Sequence, residues 1–270
     1  MPFVYWVILA ALGIGMHGFV ALTAWRTDAT RGYLRFSASL AGILVVLALL
    51  VDLGLAAPSG LAVRGAAPET DLLRRAGLAL LALGALAFAL FGGDGRSRPA
   101  GWLLGAGLAG AVLALVAAAF GWAASFADGV PLLIQLLSLS LATGGALAAL
   151  VLGHWYLVTP RISVQPLLLQ ARLLAGVLAV QLALFATWAL FGGGPGQAAF
   201  EALTGEAAFL GWLRLAVTLV FPLVLAGMAI ATARTRSMES ATGLLYIGVA
   251  AILAGTIGAA ALYVTEGLLV

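Results

Sequence analysis

Residues 36–57 read FSASLAGILVVLALLVDLGLAA, an apolar run interrupted by one charge, Asp52. A helix needs about 20 mostly apolar residues to cross the hydrocarbon core of a bilayer. This stretch is long enough, and seven others qualify beside it. The expected spans are Phe3–Trp25, Phe36–Ala57, Ala76–Gly92, Trp102–Phe126, Leu132–Val158, Leu167–Phe191, Ala208–Ala233 and Thr242–Leu262. Polar punctuation separates them, such as Thr159-Pro160-Arg161 and Gly192-Gly193-Gly194-Pro195-Gly196. The first run is full-length and lacks a basic leader, so it reads as a retained helix.

Composition agrees. Of 270 residues, 64% are hydrophobic and only 9% charged, against about 25% charged in an ordinary soluble domain. A soluble fold cannot hide that much apolar surface behind so few charges. The reading is an all-α, polytopic integral membrane protein. It forms one transmembrane helical domain over residues 1–270, in contact with the lipid bilayer of a cell inner (plasma) membrane of bacterial type. Nucleic acid is not an expected partner. The pI near 9.8 rests on a net charge of only +3, which is topology charge in loops.

Arginine counts set the orientation. Connectors after spans 1, 3, 5 and 7 hold Arg26, Arg31, Arg35, Arg96, Arg98, Arg161, Arg234 and Arg236. The opposite side holds Arg64, Arg74 and Arg75. The richer side is expected in the cytoplasm, which puts both termini on the extracytoplasmic side. The longer outer loops, residues 58–75 and 192–207, are expected to carry short amphipathic surface helices. Small residues such as Gly107, Gly110, Gly144, Gly145, Gly255 and Gly258 fit close helix packing.

Absent residues narrow the chemistry. Without cysteine there is no thiolate nucleophile and no iron–sulfur ligation by the chain. Without lysine there is no Schiff base. No metalloprotease or phosphate-loop motif occurs. Ser138, Ser140 and Thr143 are expected to back-bond to their own helix.

Ionisable groups inside a membrane are costly and mark candidate sites. His154, Tyr156, Gln170 and Arg172 lie at similar depth near the cytoplasmic leaflet, around a stiff Thr159–Pro166 connector. That inventory suits the carbonyls of a quinone, or a lipid headgroup. His17 and His154 are the only imidazoles, so at most one haem b with two histidine ligands to its iron is possible. Their depths differ by about 6 Å. In the outer half, Asp52 and Arg214 are expected to form an intramembrane ion pair, and a path past them would serve a small-solute or ion transporter, or its membrane partner.

Eight helices, external termini, this length and the ending Gly255–Val270, with Ala-Leu-Tyr-Val-Thr-Glu-Gly, resemble the quinol-handling membrane anchor subunits of the DmsC/NrfD type. The resemblance is one of architecture and carries over no functional residue. It implies a membrane subunit of a respiratory or other electron-transfer complex, with other subunits as partners and a quinone or haem site near the cytoplasmic leaflet. An accessory or assembly protein without a site of its own is the third reading.

Overall fold

A computed structural model describes residues 2–55, 68–93, 95–123, 125–159, 161–192, 198–206 and 208–266. Among them every regular element is helical. The helices are α1 (Pro2–Arg26), α2 (Arg31–Leu53), α3 (Pro68–Phe91), α4 (Arg98–Trp122), α5 (Phe126–Val158) and α6 (Gln165–Phe191). A short α7 (Glu201–Thr204) follows. Then come α8 (Ala208–Leu213), a π-helical segment (Arg214–Val220), α9 (Phe221–Arg234) and α10 (Met238–Glu266). Among the described residues eight helices are long and apolar enough to cross a membrane, with α8, the π segment and α9 joined into the seventh.

The boundaries differ from expectation where charge or capping decides. The third helix starts at Pro68 rather than Ala76. Hydropathy falls at Asp71, Arg74 and Arg75, yet the helix continues through them, because their charges are paired as described below. The break between the fourth and fifth spans precedes Phe126. Ser125 Oγ caps the Asp128 amide and donates to Asp128 Oδ2 at 2.7 Å. This capping arrangement opens α5 six residues before the expected start at Leu132. Of the two loops expected to carry surface helices, the second holds the four-residue α7. The first falls partly on α3 itself, and residues 58–67 lie outside the described residues.

α5 is the hub, packing against α1, α2, α4, α6 and α10. On one side α1, α2, α3 and α4 follow one another, and on the other α6, α9 and α10 do. The centre is set by the α1–α5 contact. A Cβ on Gly15 would collide with the Ser140 carbonyl, and one on Gly144 with the Met16 amide and Leu12 carbonyl. Only two glycines let these backbones touch, as membrane interfaces use small residues to do. Gly107, Gly110, Gly145 and Gly255 likewise meet a neighbouring helix, whereas Gly105 and Gly258 face open space.

Large aromatic rings stand exposed at helix ends. Phe91 and Trp102 lie at one end of the bundle and Phe126, Phe191 and Phe209 at the other, from 77% to 82% exposed. Tryptophan, like Trp102, is enriched at lipid–water boundaries. Between them the outer faces are apolar, a surface suited to lipid.

Arg236, in the α9–α10 turn, holds φ at 59°. A non-glycine residue there costs about 1–2 kcal/mol, offset in part by the chain entropy a glycine would add. Arg236→Gly is therefore expected to raise unfolding stability by about 0.5–1 kcal/mol, read by denaturant titration in detergent micelles.

Candidate functional sites in the bundle

The buried polar groups sort into separate sites. At the end of α2, Asp52 is completely buried. Arg74 Nε donates to its Oδ2 at 2.6 Å and Arg74 Nη2 to its Oδ1 at 3.2 Å. Arg75 Nε donates to Oδ1 at 2.8 Å. Arg74 Nη1 lies 2.7 Å from Asp71 Oδ1, close enough for an ion pair but off the hydrogen-bond direction. The Arg74 guanidinium also stacks 4.6 Å over Trp122. Two carboxylates and two guanidiniums make the cluster neutral. This corrects the expected Asp52–Arg214 pair: α3 begins early, so its first turns carry two arginines to the end of α2, and Asp52 is taken.

Arg214 lies elsewhere, at the start of the π segment, and is 4% exposed. Its Nη1 donates to Thr218 Oγ1 at 3.1 Å, and that hydroxyl donates to the Arg214 carbonyl at 2.8 Å. Nε is buried without a hydrogen-bond partner. Among the described residues Arg214 has no carboxylate in ion-pair reach. Room for the guanidinium comes from α10, where a Cβ on Gly255 would strike Nη1 and Thr218. The widened turn has a local cause. Pro222 has no N–H to give the Thr218 carbonyl, and the Phe221 amide reaches back five residues to the Ala216 carbonyl. Such π segments recur at functional sites.

His17 is fully buried, with Nε2 3.1 Å from the Leu104 carbonyl of α4. A carbonyl only accepts, so Nε2 carries a proton; among the described residues no hydrogen-bond partner meets Nδ1. Gly107 makes space for the ring. His154 projects from an exposed position on α5. The two imidazoles are thus not brought to one pocket, which corrects the arrangement a bis-histidine haem requires. Depth along the helices was readable, but the facing direction depends on packing.

The expected quinone set also divides. Gln170 is buried, donating through Nε2 to Thr23 Oγ1 at 2.8 Å and Tyr33 Oη at 2.7 Å. Tyr33 Oη in turn donates to the Ala148 carbonyl at 3.3 Å. Tyr156 donates to the Ser163 carbonyl. Arg172 and His154 are exposed. Thr23 and Tyr33 were missed, although a threonine inside an apolar span is itself a signal. Ser138 and Ser140 bond to the Gln135 and Leu136 carbonyls as expected. Thr143 instead meets Thr256 of α10, oxygen to oxygen at 2.6 Å, joining the two helices.

Two clefts open at the end where α1 finishes and α6 begins. One, of about 710 Å³, includes Arg172. The other, of about 620 Å³, lies between the end of α5 and the α9–α10 turn and includes Tyr156 and Arg236.

No protein family, curated protein or solved structure matches the chain.

Proposed function

We propose that this chain is a multi-pass inner-membrane protein with eight spans and both termini on the extracytoplasmic side, and that it binds and moves a small anion through the outer half of the bundle at Arg214. The observation carrying this reading is a buried guanidinium, with no acid partner among the described residues, in an interrupted span. A cation in a bilayer interior costs several kcal/mol unless an anion or water answers it. Asp52, the acid expected to answer it, is held by Arg74 and Arg75. Thr218 holds one nitrogen in place and leaves Nε unsatisfied. An anionic oxygen or halide would complete that donor.

The break in the seventh span supports the same reading. Transporters commonly place their ligands at discontinuous helices. Irregular backbone inside a membrane persists where protein or a water-filled cavity surrounds it. The orientation rests on the arginine-rich connectors at one end. The electron-transfer reading has less support. Tyr156 and Gln170, two of the hydrogen-bonding groups expected to serve a quinone, are committed to protein partners.

The purified protein is expected to gain thermal stability, saturably, with chloride, formate or acetate compared with gluconate at equal ionic strength. Arg214→Gln abolishes the difference. Equal stabilisation of wild type and variant by all the anions would remove the reading.

A further inference from the structure

The first cleft has a charge pattern that the proposed anion path does not use. Three connectors converge there. Arg26 closes α1, Asp28 follows it, Arg96 comes from the α3–α4 connector and Ser163 from the α5–α6 connector. Arg96 Nη2 donates to the Thr27 carbonyl at 3.3 Å, and Ser163 Oγ donates to Asp28 Oδ1 at 2.6 Å. These bonds tie the connectors into one rim. Arg172 enters from α6, seven residues past Gln165 and so about 10 Å along the helix. Trp25 supplies an aromatic wall.

Among the described lining residues are Arg26, Arg172 and Arg96, the last engaged with the Thr27 carbonyl, and one carboxylate, Asp28, which already accepts from Ser163. Among the described residues neither Arg26 nor Arg172 forms an ion pair. Those two guanidiniums outnumber Asp28 among the described lining residues, so the cleft is electropositive at the end of an apolar bundle, beside a tryptophan suited to the membrane boundary. An arginine set within the apolar span gains most from an anion at headgroup depth. Guanidinium forks match the paired oxygens of a phosphate. The volume, about 710 Å³, is within the usual range for small-molecule sites.

We infer that this cleft binds a phosphoryl group, supplied by the headgroup of an anionic phospholipid from the adjoining leaflet. Basic pockets between membrane helices on the cytoplasmic side take such headgroups. The site is separate from Arg214 and does not depend on anion movement there.

The test uses the full chain in phosphatidylcholine nanodiscs, titrated with phosphatidylglycerol and followed by native mass spectrometry and thermal unfolding. Wild type is expected to bind saturably. The Arg26→Gln/Arg172→Gln double variant is expected to bind roughly thirtyfold more weakly, about fivefold for each arginine. Both replaced side chains are exposed, so folding is retained, and the melting temperature in pure phosphatidylcholine checks it. Arg161→Gln, an exposed arginine outside the cleft, controls for bulk charge and is expected to bind as wild type does. Equal binding by the double variant, or an equal loss in the Arg161→Gln control, overturns the site. A further arm adds inorganic phosphate without anionic lipid. Stabilisation there at millimolar concentration, lost in the double variant, would support the phosphoryl site but overturn the lipid as its source.

Discussion

Asp52→Ala is expected to lower unfolding stability by about 3–5 kcal/mol, the loss typical when one partner of a buried ion pair is removed. Arg74 is 1% exposed, so it cannot recover water when its partner goes. Three of the donor contacts around Asp52 end on its two carboxylate oxygens. Asp71 alone would remain for Arg74, off the hydrogen-bond direction. The Trp122 face under the guanidinium would then hold a desolvated cation. Arg75→Gln should cost only about 1 kcal/mol or less, because the Arg75 side chain is 33% exposed and water can replace it. The measurement is SDS or steric-trap unfolding of all three proteins in the same micelles. Similar losses for the two variants would contradict the assignment of Asp52 as the neutralising centre of a buried cluster.

Gly144→Val is expected to cost about 3 kcal/mol or more, at or beyond the upper end of ordinary overpacking. The new side chain would meet backbone atoms, the Met16 amide and the Leu12 carbonyl, which cannot rotate away as a side-chain tip can. α1 would have to move off the hub helix, and the reciprocal contact of Gly15 with the Ser140 carbonyl would open with it. Gly105→Val is the matched control. A Cβ there meets nothing within 4 Å, so its effect should stay within about 0.5 kcal/mol. Unfolding titrations of both variants, together with cross-linking between α1 and α5, distinguish a local clash from general loss of helix stability.

Much of the architecture was legible because hydropathy reports length directly. Eight apolar runs became eight helices, and the errors occurred where charge sits inside a helix. Arg74 and Arg75 lower the local hydropathy enough to make α3 look like loop, yet pairing with Asp52 and Asp71 lets the helix continue. The Ser125–Asp128 cap was a local signal that the apolar run through Phe126 masked. Side-chain direction was far less legible. His154 and Arg172 sit at the expected positions along their helices, but face outward, while Gln170, two residues from Arg172, faces the core. Positions two apart on a helix do not share a face. Which face becomes core depends on the packing order of eight helices, and apolar patterning gives little guidance when both faces are apolar.

Arg214 stood out in the sequence and remains the charged group among the described residues that is most deeply buried without an acid partner. Its neighbourhood was only partly legible. Pro222 is visible in the sequence and accounts for the break, whereas the Thr218 and Gly255 contacts depend on the fold.

The most direct measurement is uptake of radiolabelled small anions into proteoliposomes, comparing wild type with Arg214→Gln and Arg214→Lys. Saturable uptake is expected for wild type. For Arg214→Gln it should fall about 10- to 100-fold, the value of a charged hydrogen bond of roughly 1.5–3 kcal/mol, with Arg214→Lys in between. Uptake no greater than in protein-free liposomes, or uptake unchanged in a folded Arg214→Gln protein, would contradict the account.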